Sequence, residues 1–221
     1  MTKSIEMAPT EAQSPVRGTP DLRRRAIIAA AYDLLAEEGL DGLTIRAVLA
    51  RTGLARRAFY ENFAGKDDLV LAVFAETLLQ AADQLGGWAR EKADPLERLR
   101  FMVSSIVMGR FGREETPPGE RDLRGAALSR EHMRLAESHP GQLQAALAPL
   151  LSVIAGHLAE GMAAGQVHKS DPARLARLVY NLVSTTVHTE LLAEEGGIPD
   201  PAARARLADE IWEFCVRAVA A

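Results

Sequence analysis

The sequence has little with which to build a covalent or metal-held scaffold. Its only cysteine, Cys215, has no intrachain disulfide partner, and no Cys/His cluster carries structural-zinc spacing. Both absences fit a reducing compartment, and the cytoplasm is the expected location. The five histidines, His132, His139, His157, His168 and His188, include no ligand-type pair four residues apart and no His-Glu-x-x-His motif, so they read as scattered structural residues and no metal is expected. Also missing are a phosphate-cradling glycine loop, a Gly-x-Ser-x-Gly elbow and an evident nucleophile–base pair. No cofactor is expected, and an enzyme is a distant second reading whose mark would be small-molecule turnover independent of DNA.

Long apolar runs are lacking too. Residues 1–18 mix Pro9 and Pro15 with Ser, Thr and Gln, read as a loose tail, and hold no signal-peptide core. The most apolar later stretch, Leu143 to Gly156, is interrupted by Gln144, Pro149 and Ser152 and falls short of the roughly 18 residues of a spanning helix. No membrane partner is expected. Hydrophobic residues make up 48% and charged residues 25%, enough apolar matter for a substantial core in a chain of 221 residues.

Sustained two-residue alternation is absent, whereas apolar residues recur at spacings of three and four throughout. The fold class is therefore all-α, with about nine helices. Thr19-Pro20, Asp94-Pro95, Asp171-Pro172 and Asp200-Pro201 each put a capping side chain before a proline, whose missing N–H costs nothing at the first helical position. Breaks are expected at Gly39 to Gly42, Gly86-Gly87, Gly112 to Gly119, Ser138 to Gly141, Gly165 to Ser170 and Gly196 to Pro199.

Charge is informative through its distribution. The net charge of -4 is not that of a general nucleic-acid binder. Yet between Thr44 and Lys66 the charged residues are Arg46, Arg51, Arg56, Arg57 and Lys66 against Glu61 alone, so this one segment is the natural anion-facing surface. It follows a helix with an apolar stripe of Ile27, Ala31, Leu34 and Leu35 that Gly39 ends. A short helix runs from Thr44, a good cap, to about Arg51. Thr52-Gly53-Leu54 makes a tight turn, and Ala55 to Asn62 forms a second short helix. That is helix-turn-helix spacing, with Val48, Leu54, Phe59 and Phe63 pointing inward to fix the angle between the helices.

Thr44, Val48, Gly53-Leu54, Phe59-Tyr60, Phe63 and Lys66-Asp67-Asp68-Leu69 resemble the N-terminal signature of the TetR family. The resemblance covers Leu22 to Leu69; beyond it, only length and helical plan agree. After the tail over 1–18, it implies a three-helix DNA-binding module over 19–69 with the helix-turn-helix at about 44–63, and a helical regulatory and dimerisation domain over 70–221. It further implies that Thr44, Tyr60, Asn62 and Lys66 contact phosphate, with Arg46 a weaker candidate. Arg56 and Arg57, near the start of the recognition helix, are then the better base readers, although either side chain also suits phosphate.

Two residues depart from the family pattern. Ala55 stands where a Ser is usual, which removes a side-chain cap worth about 1 kcal/mol, and Leu49 replaces a small Ala where the two short helices pack. The bland alternative is that Phe59 and Phe63 are ordinary core residues and Arg56 and Arg57 a solvated face. A third reading is a helical interaction protein that keeps the module but reads no sequence.

In the region after the module, Leu175, Leu178, Val179, Leu182, Val183, Thr186 and Val187 form one broad apolar face, and Leu207, Ile211, Phe214, Cys215 and Ala218 another. Helices over about 172–193 and 201–219 either pair across a homodimer or close an internal core. A two-fold dimer would present two recognition helices to successive major grooves of double-stranded DNA at a near-palindromic operator. The resemblance implies a small-molecule inducer bound between about Asp67 and Gly165, where Phe74, Trp88, Phe101, Met102, Met108, Phe111, Met133 and Met162 suit either an adaptable cavity or an ordinary core. Its commonest mode is repression relieved by that ligand.

Overall fold

The computed structural model describes residues 19–109, 124–193 and 200–221. The tail over 1–18, Phe111 and the breaks expected at Gly112 to Gly119 and Gly196 to Pro199 lie outside them. The described residues form nine helices: α1 (Pro20–Gly42), α2 (Ile45–Thr52), α3 (Arg56–Tyr60), α4 (Lys66–Ala89), α5 (Pro95–Val107), α6 (Arg124–Ser138), α7 (Pro140–Ala163), α8 (Pro172–Ala193) and α9 (Pro201–Val219). The only pairing of extended backbone among them is an isolated antiparallel bridge between Val167 and Ala220. The all-α expectation holds.

Three of the four proline starts are capped as expected. Asp94 accepts from the backbone N–H of Leu96 and Glu97, Asp171 from Ala173 and Arg174, and Asp200 from Ala202, which satisfies donors the helix leaves open. Thr19 is a correction: α1 begins at Pro20, but the Thr19 side chain makes no capping bond. At the other end of α1, Gly39 adopts φ 68°, breaking the helix at the expected place before one more turn carries it to Gly42.

The break at Gly86-Gly87 does not exist. Helix α4 passes through both glycines, and a Cβ on Gly86 would sit 3.3 Å from Val153 Cγ1 of α7. That glycine serves close helix packing, not termination. Helix α7 likewise continues through Pro149, so Leu143 to Gly156 is part of a 24-residue helix rather than an interrupted run, with Gln144 and Ser152 on its exposed side. By length and composition, α4 and α7 are both apolar enough to cross a membrane. Here Leu78, Ala82 and Leu85 of α4 share a buried cluster with Leu147, Leu150 and Ile154 of α7.

A separate cluster joins Ile27, Ala31, Leu34 and Leu35 of α1 to Val48, Phe59, Phe63 and the start of α4, and it includes Ala127 of α6. A third sets Val183 of α8 and Ala208, Ile211 and Cys215 of α9 against Val103 and Val107 of α5. Part of the apolar face of α8 and α9 is thus internal core. Burial there also pushes the Cys215 thiol up to about 11. Leu178 and Phe214 point outward and, among the described residues, are the most exposed of the large apolar side chains, at 57% and 63%.

Candidate nucleic-acid interface and internal cavity

The turn between α2 and α3 is built as its residues require. Thr44 Oγ1 accepts from Ala47 N at 3.1 Å and starts α2. Gly53, at φ 66° and ψ 12°, ends it in the left-handed region, its N–H bonding Leu49 O at 3.0 Å. Thr52 Oγ1 donates to Val48 O and accepts from Leu54 N, which ties the turn to α2 from the buried side. Leu54 and Leu49 are half-buried against the cluster beneath them.

Helix α3 is shorter than the expected Ala55 to Asn62, ending in a turn at Glu61. Ala55 occupies the cap position with no side-chain bond, as its chemistry dictates. Phe59 and Phe63 are buried, their rings 5.7 Å apart, and they anchor α3 with its other face outward.

That outward face carries Arg56, Arg57 and Tyr60, all exposed. The Arg56 guanidinium lies 5.7 Å from the centre of the Tyr60 ring, with Nη2 3.4 Å from the phenol oxygen. The pair holds a cation and a hydroxyl side by side, ready for one anionic surface. Arg57 Nε donates to Glu61 Oε1 at 2.9 Å, and Glu61 Oε2 takes Arg23 of α1 at 3.3 Å. Arg51 is bound to Glu37 through two bonds of 2.9 and 2.6 Å, so it braces α2 against α1.

Thr44 and Arg46 are exposed at the start of α2. The Thr44 hydroxyl oxygen already accepts from Ala47, which leaves its hydrogen for an acceptor outside. Asn62 and Lys66 carry internal bonds: Asn62 Nδ2 donates to Ala58 O at 2.7 Å, and Lys66 Nζ donates to Leu40 O at 2.7 Å, closing the end of α1 against α4. Five of the seven site residues foreseen in the sequence, Thr44, Arg46, Arg56, Arg57 and Tyr60, are therefore exposed, and the other two, Asn62 and Lys66, are half-buried struts.

A cavity of about 150 Å³ lies between α4, α5, α6, α8 and α9. Of the Met and aromatic residues that suit either a cavity or a core, Phe111 lies outside the described residues and, among the other seven, Phe74 lines this cavity; Trp88 and Phe101 instead pack edge to face, with ring centres 6.4 Å apart. The cavity's polar residues were missed by sequence reading. His132 and Ser129 come from α6, and Tyr180 and His188 from α8. Ser129 Oγ lies 2.7 Å from His188 Nδ1, and Tyr180 OH lies 3.3 Å from His132 Nδ1. Burial holds His132 below the usual histidine range, with the nearby charge of His188 adding to the effect, and burial raises the Tyr180 phenol. Ser129 and His132 stand three apart and so share a face of α6, but nothing local to them indicates that α8 lies opposite.

Residues 27–73 match the family model of the bacterial regulatory proteins, tetR family. The fatty acid metabolism regulator protein of Bacillus subtilis (strain 168) is 24% identical over 171 residues, 76% of this chain and 84% of that one. The transcriptional regulator BetI 1 of Chromohalobacter salexigens is 29% identical over 101 residues, 46% of this chain and 48% of its own. Among solved structures, FadR from Bacillus subtilis in complex with stearoyl-CoA superposes with a TM-score of 0.65 at 21% identity, covering 87% of this chain and 97% of that one. A TetR-family transcriptional regulator from Pectobacterium atrosepticum superposes at 0.70 with 19% identity, covering 91% and 95%. These superpositions show a shared fold.

Proposed function

We propose, for a chain that belongs to the TetR family of bacterial regulatory proteins and is a DNA-binding transcriptional regulator, a cytoplasmic repressor that leaves its operator when a small molecule fills the cavity. The observation that carries the DNA half is the outward face of α3. Arg56, Arg57 and Tyr60 stand exposed on a helix fixed from behind by Phe59 and Phe63. Arg56 and Arg57 read base edges in the major groove, where a bidentate arginine–guanine pair discriminates by roughly 1–3 kcal/mol. Thr44, Arg46, Tyr60, Asn62 and Lys66 hold phosphates, with Asn62 and Lys66 doing so only by sharing or exchanging their internal bonds.

The functional division runs at about residue 69, with the module over 19–69 and the regulatory part over 70–221. The separate apolar clusters of α1 to α3 and of the later helices support it. Outward-facing Leu178 on α8 and Phe214 on α9 support a two-fold dimer through those helices, which reads a near-palindrome.

Helix α6 supports ligand control because it touches both parts. Ala127 belongs to the cluster under the DNA-reading helices, while Leu128, Ser129 and His132 line the cavity. A ligand that binds better to one placement of α6 than to another shifts the module by that difference in affinity. The similar FadR structure holds stearoyl-CoA, which supports a small-molecule effector as a class.

The test is fluorescence-anisotropy binding to the chain's own upstream DNA and a scrambled control, for the wild type, Arg56→Ala, Arg57→Ala and Tyr60→Phe across several salt concentrations. Specific binding that falls steeply with salt, and loses preference at particular bases in an arginine variant, is the expected result. Equal affinity for native and scrambled DNA, repeated with sequences selected from a random pool, would leave a helical interaction protein in its place.

A further inference from the structure

We propose that the cavity takes a compact monocarboxylate, aromatic or branched and about the size of benzoate, whose carboxylate is held between the imidazoles of His132 and His188. The proposal rests on the reading of this cavity as the effector site and names the chemistry of its ligand.

Size comes first. The cavity's volume of about 150 Å³ is that of a site that holds a benzene-sized molecule. The apolar part of the wall, with Phe74, Leu78, Ile106, Leu128 and Val187, suits a ring or a short branched body.

Polarity is concentrated between α6 and α8. Each histidine is engaged through Nδ1, His132 by Tyr180 and His188 by Ser129. The Tyr180 phenol is buried and keeps its proton, so it donates to His132 Nδ1 and places that ring's own hydrogen on Nε2. The Ser129 hydroxyl is able to fix His188 in the same way. Two imidazole N–H donors then line one small cavity, and among its described lining residues Arg204 of α9 is the only Lys, Arg, Asp or Glu. The described wall thus offers a ligand cation no carboxylate, whereas it offers a ligand carboxylate charge-assisted bonds from both rings.

The pH dependence follows from the neighbours. His132 is faced by Tyr180 and His188 from α8, by the edge of the Phe74 ring from α4, and shares the cavity with Arg204 from α9. Burial favours its neutral ring, with the nearby charge of His188 acting in the same sense. A bound carboxylate favours the protonated ring, so binding takes up a proton and strengthens as pH falls, while benzoate itself stays ionised down to pH 6.

Calorimetric titration of the full chain with benzoate, benzamide and stearoyl-CoA at pH 6 and pH 8 tests this. Benzoate is expected to bind about tenfold or more tightly than benzamide at pH 6 and to weaken at pH 8, with benzamide unchanged. His132→Phe, which keeps a ring against Phe74, should remove most of that preference, and His188→Gln gives an independent second check. Equal affinity for benzoate and benzamide, or no benzoate binding at millimolar concentration, overturns the proposal. Cavity-filling Leu128→Trp from α6 and Ser184→Phe from α8 separate the two levels. If benzamide or stearoyl-CoA is the better binder and both filled variants abolish its binding, the ligand class is wrong and the cavity reading stands. If a binder ignores both fillings, the cavity reading falls and takes the proposal with it.

Discussion

Glu61 Oε1 accepts a hydrogen bond from Arg57 Nε at 2.9 Å, one turn along the exposed edge of α3. The acid is exposed and occupies an arginine proposed to read bases. Replacing it with Gln removes a repelling charge and frees Arg57 for phosphate or guanine. Glu61→Gln is expected to tighten binding to native and scrambled DNA alike by about three- to tenfold at low salt, and to steepen the salt dependence by about one counterion. Anisotropy titrations over a salt series would show it; unchanged affinity would place Arg57 away from the DNA.

The cap of α3 offers an opposite kind of change. Ala55 gives its helix no side-chain acceptor, and the helix spans only Arg56–Tyr60. Ala55→Ser supplies one, worth about 0.5–1 kcal/mol to the module. Slower amide exchange at Arg57 and Ala58 in the absence of DNA is the measurement. If exchange is unchanged, the anchoring of Phe59 and Phe63 already holds the helix fully formed.

Gly161 is required by a neighbour. A Cβ there would lie 2.7 Å from Val167 Cγ2, a buried side chain beside the bridge to Ala220. Gly161→Ala is expected to destabilise the chain by about 1–3 kcal/mol despite the better helix propensity of alanine. In a Val167→Ala background the clash is gone, so the same substitution should turn neutral or stabilising. Thermal melts of the four proteins in this cycle decide it, and additive effects would mean that the two side chains do not meet.

On α9 and α8, Phe214 and Leu178 present apolar surface to solvent. Phe214→Asp is expected to weaken self-association by about 2–3 kcal/mol, the value of burying such a side chain, or a factor of roughly 30–150. Sedimentation across a concentration series reads this directly. A wild-type mass that stays monomeric at every concentration would remove the dimer from the mechanism.

The elements that local chemistry specifies were legible in the sequence. Three Asp-Pro starts, the Gly53 turn, the buried Val48, Phe59 and Phe63, and the exposed arginines all follow from residue type and spacing. What failed depended on partners distant in sequence. Gly86 looks like a break until α7 is laid against it, and Val153 is what it accommodates. Trp88 and Met102 suit a pocket wall or a core alike in the sequence and are core, because which face of a helix meets a cavity is set by its neighbours. His132 and His188 look scattered since 56 positions separate residues that meet only when α6 packs on α8. Lys66 shows a mixture: its place after Phe63 marks the motif, but its bond to Leu40 O is visible only in three dimensions.

The most direct measurement is selection of bound sequences from a random pool of double-stranded DNA by the purified full chain, run beside Arg56→Ala. Sequence-specific regulation requires the wild type to enrich one near-palindrome, with half-site centres about one helical turn, or a multiple of it, apart. Arg56→Ala should lose preference at defined base pairs within each half-site. A pool that stays unenriched through successive rounds, while retained DNA still washes off with salt, would contradict the regulator mechanism and leave only charge-driven contact with DNA.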